Sequence, residues 1–468
     1  KMNFDYVIIG SGPAGCVIAN ELSKAGLKIA LIDRAPNEKS PGINDFFCPY
    51  VNSSPNNYTP IYSNQLGGNS ALWHSKIYLI TEKEFNKSNW GMDYNDLTEY
   101  SKKLSNLMRA DFNDVNKSEE KLDYFLRYSS RGNFRSIFKF FEINTNKNIS
   151  IFKGFCPIIL ENEKNNSDLI KKVHLKNLEG RKIVIDINKS VIFCAGGLGN
   201  PHLLLNLLEN KSKNLGKYLS DHTHVNLGKV IEKKIENYIK IAKPNIKTNL
   251  GKNDDKEIAA IFENDKYFLG VQLDYKIDPF KKIRRYYLKL KNLKFRKIIN
   301  LFYFFFSKLN GLFYKFGIIL GKYYKYSFEL FFSQKISDKN YVSLSNNIDE
   351  FGLKKININW KLSEEDIENY KILINKSIGK NGKLGNFFDI KDFQKYFFNY
   401  DLAGLHPSCT TKIGNSIEDG VVDKNLKLFQ YQNIYVCGSS VFPFNGFTNP
   451  TWTIMCLALR LSEKLKNE

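Results

Sequence analysis

Phe4-Asp5-Tyr6-Val7-Ile8-Ile9 runs directly into Gly10-Ser11-Gly12-Pro13-Ala14-Gly15 and then into VIANELSKAG. The first run is β-branched and aromatic, as strands are, and the last has helical spacing. The glycines therefore form G-x-G-x-x-G in its required context, with a strand before it and a helix after it. Gly10 permits the tight turn, Gly12 lets backbone approach a pyrophosphate, and Gly15 lets helix and strand pack closely. The helix N-terminus offers free N–H groups and a partial positive charge to the phosphates, with Ser11, Pro13 and Ala14 completing the turn. A second strand, Leu27 to Ile32, ends in Asp33, eighteen residues after Gly15, with Arg34 beside it. A carboxylate there can accept hydrogen bonds from ribose hydroxyls. The stretch predicts a Rossmann-like, dinucleotide-binding α/β unit.

At 468 residues the chain has room for two or three packed units, and 43% apolar with 25% charged residues describes a folded globular protein. Its seven cysteines are scattered without C-x-x-C spacing, which excludes a metal-ligand cluster and suits a reducing compartment. The first strand begins by residue 4, so no signal peptide is expected and the predicted location is cytoplasmic. The net charge of +21 is unevenly spread: Lys281 to Phe328 holds thirteen Lys/Arg and no Asp or Glu. Such a block seeks an anionic partner or forms a solvated face.

Further along, Gln65-Leu66-Gly67-Gly68-Asn69-Ser70 precedes Ala71-Leu72-Trp73-His74, and Gly67, Gly68 and Ser70 allow backbone to lie against a flat or phosphorylated ligand. Asp93 is placed to cap a helix opening at Tyr94. Lys171–Leu175 and Lys182–Ile187 flank Asn177-Leu178-Glu179-Gly180, a hairpin signal. A buried strand, Lys189–Phe193, then enters Cys194-Ala195-Gly196-Gly197, and Pro201 starts a helix. This second strand–glycine–helix crossing completes a two-dinucleotide or flavin fold.

These stretches resemble the glucose–methanol–choline (GMC) flavoprotein oxidoreductases nearly end to end. The matching segments are GSGPAG, LGGNS, WGMDYNDLTEY, FCAGGLGNPHLLL, LGKYLSDHTH, VSLSNNIDEFGLKKININW and the ordered block from HPSCTTKIG to TNPTWTIMCLALRLSE. The resemblance implies bound FAD and a discontinuous flavin domain, here 1–225 with 400–468. It also implies a substrate domain over 226–399, built on an antiparallel sheet with strands at Asn340–Leu344 and Ile356–Trp360. Trp73 and Ala195, Gly196, Gly438, Ser439, Asn449, Pro450 and Thr451 then join the flavin-binding set. Leu72 stands where some relatives attach the flavin through a histidine, so non-covalent FAD is expected.

His406 matches the position of the family's catalytic histidine, and Asn449, forty-three residues later, matches its second active-site position. Alone, Asn449 reads as a helix N-cap with Pro450 at the first helical position. The implied reaction oxidises an alcohol, such as a sugar, a polyol or another hydroxylated compound, to a carbonyl. A hydride passes to flavin N5 and the hydroxyl proton to His406, while Asn449 steadies charge on oxygen. A redox-silent lyase-type relative and a flavin-bound membrane or nucleic-acid binding protein are the alternatives. Asp221-His222-Thr223-His224 reads as local hydrogen bonding rather than metal ligation, and His174 and His202 as surface and structural residues. Within 281–328, apolar residues from Ile298 to Tyr323 share one helical face beside Lys308, Lys315 and Lys322. That helix either packs on the substrate domain or lies on an anionic membrane at its inner face, near a lipid-linked substrate. Nucleic acid fits it less well.

Overall fold

A computed structural model describes residues 2–36, 48–56, 58–71, 76–109, 118–121, 124–131, 136–226, 254–274, 327–377 and 405–468. Trp73 and residues 281–326, with the helical face expected there, lie outside the described residues.

The first sheet grows from the quoted stretch. β1 (Met2–Ile9), β2 (Ile29–Asp33) and β7 (Ile149–Lys153) run parallel in the order β7-β2-β1. On the other side of β1 lies β10 (Lys182–Phe193), and β17 (Ile434–Val436) pairs with the end of β10, both parallel. β9 (Asn166–Asn177) and β8 (Phe155–Glu163) continue from the beginning of β10 as an antiparallel meander. Tyr6 to Ile8 and Ile29 to Ile32 are fully buried, as parallel strands covered on both faces should be. The glycine-turn helix Pro13–Lys24 and the C-terminal helix Thr451–Lys466 pack on each other in the same core. Trp452 Nε1 donates to Ser101 Oγ at 2.8 Å, fastening the C-terminal helix to helix Tyr94–Met108. Asp93 holds the N-cap position of that helix with extended backbone, but its side chain makes no capping bond.

Two expectations change here. The hairpin arm at Lys182–Ile187 and the buried strand at Lys189–Phe193 are one twelve-residue strand. Its first half alternates because it pairs with the half-exposed meander, and its last four residues are buried because they enter the parallel core. The helix expected to start at Pro201 begins at Gly196, with Pro201 inside it. Proline lacks the N–H that would bond the Gly197 carbonyl. Thr410 Oγ1 donates to that carbonyl instead, at 2.6 Å.

A second sheet is antiparallel throughout. Its order is β11 (Thr223–Asn226), β14 (Ser327–Phe332), β13 (Phe268–Asp274), β12 (Asp254–Glu263), β6 (Tyr124–Arg131) and β4 (Lys76–Ile77), with β5 (Ser118–Lys121) on β6. It draws strands from both sides of residue 226. The block ending at Phe328 therefore finishes in strand, since Ser327 and Phe328 open β14. β15 (Tyr341–Ile348) and β16 (Lys354–Asn359) pair antiparallel close to their expected positions, yet they join β3 (Val51–Ser53) in a separate small sheet. Val342, Ile356 and Ile358 pack there with Tyr50, Tyr58 and Leu198. No helix among the described residues is long and apolar enough to cross a membrane.

Candidate active site

The glycine turn sorts its three glycines by what surrounds them. A Cβ at Gly10 would stand 2.5 Å from the Cys194 carbonyl oxygen, and Gly10 has φ +106°. A Cβ at Gly15 would stand 1.9 Å from the Gly10 oxygen. Both therefore pack protein against protein. At Gly12 the nearest neighbour of a Cβ is Cys194 O, 3.9 Å away. Gly12 instead opens into a cavity of about 510 Å³, a size usual for ligand sites.

That cavity gathers most of the residues singled out in the sequence. Its walls include Gly10, Ser11, Gly12, Pro13, Ala14, Asp33, Arg34, Gly68, Ser70, Ala195, Gly196, Gly438 and Ser439, and it reaches His406, Asn449, Pro450 and Thr451. Gly15 packs behind the turn instead. Gly67 lies beneath the wall, donating its N–H to Ser11 Oγ at 3.0 Å. The N-terminal ends of three helices, at Pro13, Gly196 and Thr451, meet the same space. Their partial positive charges favour an anionic ligand. Ser63 Oγ and Gln65 Nε2 are buried on residues lining the cavity and have no protein hydrogen bond. Unmet polar atoms, an open Gly12 and three helix ends fit a dinucleotide.

At the β2 end, Asp33 braces the turn. Its Oδ2 accepts from Ser11 N at 2.8 Å and Ser11 Oγ at 2.6 Å, and its Oδ1 from Ala35 N at 2.8 Å. Burial raises its carboxyl above the ordinary range against the pull of these bonds. Spare lone pairs leave it able to accept a ribose hydroxyl as well. Arg34 is committed elsewhere: it pairs with Asp349 at 3.3 Å and Glu350 at 3.1 Å, and lies over the Tyr50 and Phe351 rings. A guanidinium already matched by two carboxylates, next to Asp33, disfavours a 2′-phosphate. His202, read as structural, stacks on Tyr50 with ring centres 4.6 Å apart in the cavity wall.

The opposite end is built around His406. Its backbone N–H lies 3.2 Å from each Asp221 oxygen, and Tyr58 OH donates to Asp221 at 3.3 Å. Ser408 Oγ and Asn445 Nδ2 donate to the His406 carbonyl at 2.9 and 3.3 Å. His406 Nδ1 is 2.7 Å from His222 Nε2. Burial, then the neighbouring His224, pushes the His406 pKa down to about 4. Burial, then His406 and His224, holds His222 well below its usual value. Both rings are neutral at pH 7, the form that can take a proton. Among the described residues no group of His, Cys, Asp and Glu is arranged for a metal ion.

Asn449 is not the N-cap. The C-terminal helix opens at Thr451 with Pro450 in the cap position, so the Asn449 side chain is not used for capping. The loop before it is held by Glu84, which sequence reasoning missed. This buried carboxylate accepts from Phe447 N at 2.8 Å, Thr448 N at 3.0 Å and Thr448 Oγ1 at 2.8 Å. A Cβ at Gly446 would stand 2.0 Å from Glu84 Oε1. The Thr81-x-x-Glu84 capping box was the available signal. In the alcohol oxidation that the resemblance implies, Asn449→Ala is expected to slow flavin reduction about tenfold while leaving unfolding free energy within about 0.5 kcal/mol of the parent. Stopped-flow absorbance and urea unfolding measure the two.

Buried neutral imidazoles also link stability to pH. Burial, with Arg34 nearby, pushes the His202 pKa down to about 4. The unfolded chain binds that proton near pH 6.5. The stabilisation is therefore complete above about pH 6.5 and is lost as pH falls toward about 4. His202→Phe keeps a ring on Tyr50 without titrating. Its unfolding free energy should fall about 2 kcal/mol less than the parent's between about pH 7 and about pH 4.5, by urea titration.

Residues 337–458 match the GMC oxidoreductase family by its C-terminal domain, and residues 8–38 match the NAD(P)-binding Rossmann-like domain. No curated protein matches the sequence. Among solved structures, a formate oxidase of Aspergillus oryzae RIB40, from work on its FAD modification, superposes with TM-score 0.63 at 14% identity, covering 100% of this chain and 98% of that one. A pyridoxine 4-oxidase from Mesorbium loti does so with TM-score 0.63 at 14% identity, covering 100% of both chains. At these identities the likeness is one of fold. The stretch 337–458 is thus similar to the C-terminal domain of the GMC oxidoreductases, and the chain as a whole shares its fold with these two oxidases.

Proposed function

We propose that the protein is an FAD-dependent oxidoreductase that oxidises an alcohol, such as a sugar, polyol or other hydroxylated compound, to a carbonyl, with His406 as general base. One observation carries the reading: a single cavity joins the glycine turn to His406 and Asn449. Bound flavin supplies the acceptor, at N5, for the hydride leaving the alcohol carbon. His406, neutral at pH 7, takes the hydroxyl proton on the ring nitrogen not engaged by His222. The Asn449 amide donates to the oxygen as negative charge develops there. The N-terminus of the Thr451–Lys466 helix adds positive potential at the same place. FAD is held without a covalent bond in this reading, because Leu72 occupies the place of the attachment histidine in some relatives. A flavin-bound binding protein would have no use for a base and an amide donor at one cavity, whereas a lyase-type relative could use both and differs in that no alcohol would bleach its flavin.

The basic, aromatic block 281–328 would bring the enzyme to an anionic membrane surface, a role that co-sedimentation with anionic vesicles tests. The function itself is tested with FAD-loaded protein, an artificial electron acceptor and a panel of sugars, polyols, benzylic alcohols, formate and pyridoxine. At least one alcohol should yield its carbonyl. If none does while the flavin is bound, the oxidoreductase reading fails.

A further inference from the structure

Asp221 and His222 sit side by side on the short stretch entering β11, and both grip the residue assigned as base. Asp221 takes the backbone of His406: its two oxygens are each 3.2 Å from the His406 N–H. His222 takes the ring: Nε2 is 2.7 Å from His406 Nδ1, with the ring centres 4.5 Å apart. Both residues are buried, at 0% and 1% exposure. They are fastened in turn. Tyr58 OH donates to Asp221, the Asp221 N–H lies 3.4 Å from Gln334 Oε1, and Trp360 Nε1 donates to the same oxygen at 2.9 Å. Phe331 of β14 meets His222 edge-on at 5.8 Å and stacks on His224 at 4.7 Å.

We infer that Asp221 and His222 are positioning residues for His406: Asp221 fixes its backbone, and His222 holds its ring in the one tautomer able to act as a base. The inference rests on the proposed alcohol oxidation. A neutral imidazole carries one ring proton and one lone pair. To accept a hydroxyl proton on Nε2, His406 must keep its own proton on Nδ1, and that N–H must then donate to His222 Nε2. His222 in turn must carry its proton on Nδ1. When the alcohol gives up its proton, Nε2–H forms, the O–H bond breaks, and His406 becomes an imidazolium whose Nδ1–H still donates to neutral His222. The opposite tautomer, with His222 donating, would present an N–H to the alcohol and could take no proton from it. The groups facing the pair are Asp221 and Tyr58, His224 from β11, the Gly446 backbone, and the uncharged Phe331 and Asn445. The Gly446 backbone faces the His222 ring, and with the His222 proton turned there, His222 can only accept from His406, the task a carboxylate performs in hydrolytic triads.

The test uses FAD-loaded, ¹⁵N-histidine-labelled full chain, whose six histidines keep the spectrum readable. At about pH 7 the parent should show His406 with protonated Nδ1 and bare Nε2. His222→Leu should lose that preference. His222→Gln, whose side-chain carbonyl can accept the same hydrogen, should regain it. With whichever alcohol of the panel reduces parent flavin fastest, His222→Leu should lower the limiting reduction rate at least about tenfold, with half-saturation within about twofold. His222→Gln should recover most of that rate, which a merely structural role would not predict. Finding the proton on Nε2 of parent His406 overturns the inference even if the Leu variant does not fold. So do an unchanged tautomer and rate in His222→Leu. His406→Ala separates two failures. If it reduces flavin as fast as the parent, the base assignment falls and the positioning role with it. If it is slow while His222→Leu is not, only the positioning role falls.

Discussion

His406→Ala is expected to retain FAD and to reduce it on the order of a hundredfold or more slowly than the parent, the usual loss for a positioned base. The cavity residues that would hold the dinucleotide lie on the glycine turn, on β2 and at the start of the Gly196–Leu207 helix, so removing an imidazole at the far end leaves them in place. Truncation also removes the partner of His222, a neutral ring whose loss of one hydrogen bond costs about 1 kcal/mol of stability. The rate should therefore fall much more than the stability. With a pKa near 4, parent His406 is already deprotonated across the neutral range. Its reduction rate should be flat from about pH 6 upward and fall in acid, and the alanine variant should lose that acid limb. Stopped-flow absorbance of the flavin over pH measures both.

Gly12→Val is expected to abolish FAD binding while leaving the fold intact. Gly12 has φ −67° and ψ −174°, a backbone that any residue adopts, and the nearest protein atom to a Cβ there is 3.9 Å away. The new side chain meets only the space where the pyrophosphate must approach backbone. Gly10 and Gly15 offer the contrast. A Cβ at either collides with main-chain oxygen, and Gly10 also has positive φ, so substitution there should break the turn itself. The Gly12→Val variant should accordingly be expressed, folded and colourless. FAD titration followed by flavin fluorescence quenching should show no saturable binding. Saturable binding close to the parent's would remove the glycine turn from the cofactor site.

How much of this was legible in the sequence depended on how local each signal was. The turn from Ile9 to Pro13, β2 and its terminal Asp33 are contiguous and periodic, and they folded as read. The double role of β10 was hidden, because one strand changes partners halfway and its alternation changes with them. The start of the Gly196–Leu207 helix was hidden by Pro201, which marks helix starts in general but here sits inside, rescued by Thr410 from far along the chain. His406 was found through resemblance. Its holders, Asp221 and His222, lie about 185 residues away, and no spacing rule connects them. Glu84 is similar: the capping box was readable, but the grip of its carboxylate on Phe447 and Thr448 exists only in three dimensions. Arg34 lines the cavity as its place beside Asp33 suggests, but its pairing with two carboxylates near the β15–β16 turn exists only in three dimensions.

In the proposed reaction an alcohol in this cavity gives its hydride to bound flavin while His406 takes its proton. Anaerobic single-turnover mixing tests that reaction most directly. FAD-loaded protein is mixed with each alcohol of the panel, and the oxidised-flavin absorbance is followed without any acceptor. At least one alcohol should bleach the band with one equivalent of carbonyl formed per flavin, and deuterium on the reacting carbon should slow the bleaching. A flavin that dithionite bleaches and that no alcohol does would contradict it.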